Sequence, residues 1–139
     1  ADGGFGGPSG PVPLPHALPE RAPDHVCDRP TDTRAALIYR LSGDYNPLHA
    51  EPAMAKKAGF LRPILHGLCT YGHCGQMLLN ALCGSDPTRF GSLQVRFSSP
   101  VLPGDKLQVV GWHDGPGRLL FEARVGDRTV VSNATFTYR

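Results

Sequence analysis

No apolar run in this chain of 139 residues reaches the ~18 residues that a membrane-spanning helix requires. Charge of one sign is also missing, since 14 Lys and Arg stand against 12 Asp and Glu, a formal net of +2. So small a field, from basic residues scattered without interleaved aromatics, argues against nucleic acid as a partner. The four cysteines include neither a C-x-x-C pair nor a Cys/His quartet, which excludes the common zinc modules. Cys69, Cys74 and Cys83 read instead as small buried hydrophobes of a reducing compartment. A secretory pattern is lacking at the start and an S-K-L-type address at the end. The expectation is a soluble intracellular protein, cytoplasmic, or peroxisomal if eukaryotic. A hydrophobic content of 40% suffices for one core at this length, not for two.

Glycine and proline are plentiful over residues 1–23, where Gly3, Gly4, Gly6, Gly7 and Gly10 alternate with prolines and little can be buried. That stretch reads as a linker or as an arm lying over a surface, with one domain over residues 24–139. Ala1 in place of Met leaves three origins open: a processed product, a trimmed chain, or the second half of a longer protein.

Within the domain, a short strand is expected over residues 24–28, then a helix capped by Thr31 or Asp32 and carrying Ala35, Ala36, Ile38 and Tyr39. Residues 67–82, GLCTYGHCGQMLLNAL, are apolar around most of a helical circumference and stop at Gly84, which predicts a buried central helix. Gly72 and Gly75 cost that helix ~1 kcal/mol each relative to Ala, a cost that close approach to a sheet would offset. Leu93, Val95 and Phe97 then alternate with Gln94, Arg96 and Ser98, and further strands are expected over 106–112, 119–125 and 129–138. Asp114-Gly115-Pro116-Gly117 and Gly126-Asp127 supply the turns between them. The whole predicts an α+β domain with an antiparallel sheet of about five strands wrapped around one long helix.

Chemistry concentrates in residues 39–67, YRLSGDYNPLHAEPAMAKKAGFLRPILHG. Ser42-Gly43-Asp44 makes a sharp turn that holds a carboxylate outward. Asn46-Pro47 suits an N-cap and first helical position, which places His49 in a first turn. The doubling back brings Asp44 and His49 toward one small volume, as shared handling of one water requires. Pro52 interrupts that turn, and a second short helix over 53–58 closes at Gly59. At Gly67 the long helix begins, so its unpaired N–H groups and positive dipole end suit a developing oxyanion. The plainer alternative is an ordinary Asp-x-Asn-Pro loop beside a surface histidine, and His66 and His73 read as structural.

YRLSGDYNPLH followed by AGF-x-RPILHG resembles the hydratase 2 signature of the MaoC-like dehydratases, a hotdog-fold family acting on acyl-CoA thioesters. The resemblance runs from about residue 24 to the end, through RFSSPVLPGDKL and VVSNATFTYR. It implies that Asp44 and His49 are a catalytic dyad, that Asn46 supports them, and that the N–H of Gly67 binds the thioester oxygen. It implies hydration of a trans-2-enoyl-CoA to an (R)-3-hydroxyacyl-CoA without metal or redox cofactor. It also implies kinship with the C-terminal half of double-hotdog chains, joined by a Gly/Pro-rich segment like FGGPSGPVPLP. Arg96 is a candidate contact for CoA, or an ordinary solvated arginine. Two alternatives stay open: an acyl-CoA thioesterase on the same fold, and a hotdog half that is inactive without its partner. Under any of these a lone hotdog leaves a sheet edge and an apolar face uncovered, so a homodimer or pairing with another half is expected.

Overall fold

A computed structural model describes residues 6–8, 10 and 14–139; the rest of the Gly/Pro-rich stretch, residues 1–5, 9 and 11–13, lies outside the described residues. Alternating sequence becomes five antiparallel strands in the spatial order β1-β3-β4-β5-β2. These are β1 (His25–Pro30), β2 (Phe90–Phe97), β3 (Lys106–His113), β4 (Arg118–Val125) and β5 (Arg128–Tyr138). The hairpins fall where the turn residues stand, with Gly115, Gly117 and Gly126 all at positive φ.

Between β1 and β2 lie three helices. The first is short, α1 (Ala35–Tyr39), and its N-cap is Arg34 and not the expected Thr31 or Asp32; the Asp32 carboxylate accepts the Arg34 N–H at 2.7 Å in the turn just before the helix. The second, α2 (Pro52–Lys57), runs from the proline to a positive-φ Gly59. The long α3 (Gly67–Cys83) ends at Gly84, which caps it in the left-handed region at φ 60°.

One face of α3 packs against the sheet. Cys74, Met77, Leu78 and Cys83 meet Leu93, Leu107, Val109, Leu119, Phe121, Val131 and Phe136 in a single core. Each fully buried Leu or Phe there contributes about 1.5–3 kcal/mol of transfer free energy. Gly75 lets the backbone approach the sheet, since a Cβ there would stand 3.2 Å from the Leu93 side chain. Gly72 does not serve that purpose, for nothing lies within 4 Å of the same position. The expectation of a helix buried all round is corrected accordingly: Leu68 is 63% exposed, because this chain's sheet covers only one side of α3.

The other face of the sheet is not left to solvent. Val110, Trp112, Leu120 and Glu122 alternate with the core residues yet are buried as well. Residues 16–24 run across this face. The Trp112 indole N–H donates to Arg21 O at 2.9 Å, the His16 N–H to Asn133 Oδ1 at 3.0 Å, and the His113 N–H to Asp24 Oδ2 at 2.7 Å.

Candidate active site

Local chemistry builds the loop that carries the acid. A single 3₁₀ turn (Arg40–Ser42) ends at Gly43, whose φ of 118° is cheap for glycine alone, and Asp44 follows. Its Oδ1 accepts the Asn46 N–H at 3.2 Å, an Asx-type turn. Asn46 is extended, as the following proline demands, and its side chain accepts the Leu48 N–H at 3.0 Å. It thereby caps a second 3₁₀ turn (Pro47–His49) that delivers His49 into the structure. Asn46 therefore supports both partners, Asp44 through its main chain and the histidine turn through its side chain.

His49 is buried, and its Nδ1 lies 2.8 Å from Ile64 O. A carbonyl only accepts, so Nδ1 carries the proton and Nε2 presents a lone pair. That lone pair faces Asp44 Oδ2 at 3.9 Å. The gap is too long for a direct hydrogen bond. A water about 2.8 Å from both atoms would subtend about 90° between them, close enough to its own H–O–H angle to donate one hydrogen to each. Two acceptors at this spacing orient a water with its oxygen lone pairs turned outward.

His66 immediately precedes α3 and belongs to the same cluster, a placement the sequence did not suggest. It is 2% exposed, its ring is stacked on His49 at 3.7 Å between centroids, and its Nε2 lies 3.1 Å from Asp44 O. Burial pushes its imidazole below the usual histidine range, which keeps it neutral, and its Nδ1 has no partner among the described residues. Tyr39 closes the far side, 4.9 Å from the His66 ring. One donor atom from each of Asp44, His49 and His66 falls within 4.8 Å of the others, a spacing that suits a metal ion. The stack argues against a shared ion, because two nearly parallel rings aim their lone pairs side by side and not at one point.

Gly67 opens α3 beside this cluster. Cys69 and Thr70 return their N–H groups to His66 O at 3.1 and 3.2 Å, so the Gly67 N–H is among those left over at the helix start. The Phe97 ring stands 3.3 Å from where a Gly67 Cβ would be, leaving the glycine backbone flush with the wall of a cleft. That cleft, of about 580 Å³, is lined by Tyr39, Ser42, Gly43, Asp44, His66, Gly67, Leu68 and Phe97. Arg96 is not part of it. On β2, Leu93 and Phe97 face α3, whereas Ser92, Gln94 and Arg96 line a separate groove with Asn133, Thr135 and Arg118. Strand alternation sends the arginine the other way.

An antiparallel sheet curled against one long helix, with an acid and a histidine overhanging the helix start, defines a hotdog domain. The chain belongs to the MaoC-like dehydratase family: the family described as MaoC like domain matches residues 16–135. The 3-hydroxyacyl-thioester dehydratase Y of Mycobacterium tuberculosis is 49% identical over 124 residues, covering 88% of this chain and 43% of that protein. The peroxisomal enoyl-CoA hydratase 2 of Arabidopsis thaliana is 45% identical over 111 residues, covering 80% of this chain and 36% of its own length. Among solved structures, a MaoC-like dehydratase from Phytophthora capsici superposes with a TM-score of 0.89 at 43% identity, covering 98% of this chain and 47% of that one. The chain thus spans less than half the length of these relatives.

Proposed function

We propose that this domain carries the site of an (R)-specific 2-enoyl-CoA hydratase, which adds water reversibly to a trans-2-enoyl-CoA to give an (R)-3-hydroxyacyl-CoA. The observation that carries the reading is the 3.9 Å separation between two acceptors, Asp44 Oδ2 and His49 Nε2, at the mouth of α3. Relatives whose names include dehydratase of 3-hydroxyacyl thioesters and enoyl-CoA hydratase support it. The R configuration and the CoA carrier rest on the family resemblance.

In the forward direction the held water attacks the β-carbon. A C–O bond forms there, the π pair moves onto the α-carbon and thioester oxygen, and one water hydrogen passes to Asp44 or His49. The Gly67 N–H, at the positive end of the helix dipole, stabilises the enolate oxygen. The side chain that took the proton then returns it to the α-carbon, so the elements of one water are added and both side chains end as they began. The net change is addition of water, so no metal or redox cofactor is required. Arg96 has no part at the reacting atoms; at most it meets the far end of CoA.

A second feature bears on completeness. Leu68 is exposed on the cleft wall, and Leu41 and Tyr45, next in sequence to the lining residues Ser42 and Asp44, are exposed as well, an apolar rim that a solitary soluble domain would not favour. We infer that a second hotdog half, the same or different, covers this rim and completes the acyl channel. The name of the plant relative supports a peroxisomal setting if the source is eukaryotic. No helix among the described residues is long and apolar enough to cross a membrane.

Crotonyl-CoA mixed with the purified chain tests the reaction. Loss of enoyl absorbance without free thiol is the expected result, and thiol release at the same rate would replace the hydratase with a thioesterase. Solution mass, read beside activity on longer acyl chains, tests the pairing.

A further inference from the structure

We propose that His66 is a positioning residue for the Asp44/His49 pair, holding the acid by its main chain and the histidine by its ring face. This inference rests on the hydratase reading for its kinetic consequence but not for its geometry. The Nε2–H of His66 donates to Asp44 O at 3.1 Å, pinning the peptide from which the carboxylate projects. The same ring lies against His49 at 3.7 Å between centroids and 24° between planes, so His49 cannot swing toward it. On its other side His49 is tied to Ile64 O at 2.8 Å. Between these two restraints the imidazole has one orientation, with Nε2 toward Asp44. The spacing between the two water-holding atoms is thereby set from both ends by one side chain.

Every titratable or charged group near His66 fits this role. Tyr39 of α1 packs on its ring, Arg40 lies close enough to oppose a second positive charge, and Asp44 and His49 complete the surround. A neutral His66 lets the stacked His49 accept a proton without a like charge against its face. A hydrogen-bonding residue lacking a ring would hold only Asp44, and a ring lacking an N–H would hold only His49. His66 does both, from the cleft wall between Asp44 and Gly67.

Three substitutions separate these contacts: His66→Phe keeps the ring, His66→Gln keeps an N–H at similar reach, and His66→Ala removes both. With crotonyl-CoA, kcat is expected to fall roughly 10²-fold for the Ala variant and about tenfold for each of the others, with KM nearly unchanged. Imidazole ¹⁵N NMR of His49 supplies a readout that does not depend on turnover. Its ring ¹⁵N resonances are expected to move in all three variants, most in Ala, as the stacked ring is altered or removed. An Ala variant with the wild-type melting temperature, wild-type kcat and unmoved His49 resonances overturns the proposal. So does a parallel loss of kcat and melting temperature in all three with His49 unmoved, which is mere structural damage. If the wild-type chain hydrates nothing, the hydratase reading fails alone, and the His49 spectrum still decides the positioning role.

Discussion

Replacing Asp44 by Asn removes one charge and almost nothing else. The side chain is 55% exposed, and its one hydrogen bond among the described residues is the 3.2 Å contact from the Asn46 N–H to Oδ1. An asparagine Oδ1 accepts that N–H equally well, so the turn should persist, and a surface change of this kind stays within ~0.5 kcal/mol of stability. In melting temperature that is about 2 °C for a domain of this size. The catalytic consequence is much larger. The amide places an N–H₂ or a neutral oxygen where Oδ2 faced His49 at 3.9 Å. A donor there reverses the water's orientation, and a neutral acceptor cannot take its proton. Loss of a positioned general base costs about 10²- to 10⁴-fold in kcat. At ~1.36 kcal/mol per decade that is roughly 2.7–5.4 kcal/mol of activation free energy, far above the folding effect. The assay is hydration of saturating crotonyl-CoA beside a thermal melt. A variant that melts within ~2 °C of wild type yet keeps kcat within about threefold would refute the shared-water reasoning.

Gly67→Ala should melt near wild type, because a gain of up to ~1 kcal/mol in helix propensity offsets a methyl placed 3.3 Å from the half-exposed Phe97 ring, which can yield. Its kcat/KM should still drop at least ~10-fold if the proposed role holds, as the methyl and displaced ring crowd the N–H assigned to the thioester oxygen; an unchanged value removes Gly67 from the site. Thiol titration at pH 8 should find Cys27 and Cys69 reacting before Cys74 and Cys83, which are buried, with burial pushing the Cys74 thiol up to about 12. Fast reaction of all four in the folded protein would contradict the packing of α3. Stability should fall with acidity in two windows. Burial holds His66 and His73 below their unfolded values of ~6.5, so their contribution is complete above that pH and fades as pH drops through their lower folded values. Asp32, held down to about 2 by hydrogen bonds from the Arg34 side chain and backbone, contributes above 3.8 and loses that contribution toward about 2. Melting temperatures that rise between pH 7 and pH 5 would show the sign to be wrong.

The local rules of the backbone made most of the architecture legible. Asn46-Pro47 marks a cap and a first turn, Gly59 and Gly84 mark helix ends, and period-two runs mark β2 to β5, because each depends on residues a few positions apart. The pairing of Asp44 with His49 was legible for the same reason, since one short loop contains both. Which sheet face Arg96 takes was not legible, because that depends on how β2 pairs in the folded sheet. His66 was passed over because its partners, the His49 ring and the Asp44 carbonyl, come near it only when the intervening helix folds back. Trp112 belongs to a face that alternation would leave wet, and the segment carrying Arg21 lies over it. What the amino-acid order determined by itself was the list of elements and the identity of the loop pair, since those are matters of φ, ψ and short hydrogen bonds. What only the tertiary structure decided was the 3.9 Å gap, the histidine stack and the side of the sheet that each residue serves. Those depend on contacts between segments distant in the chain, and packing alone brings them together.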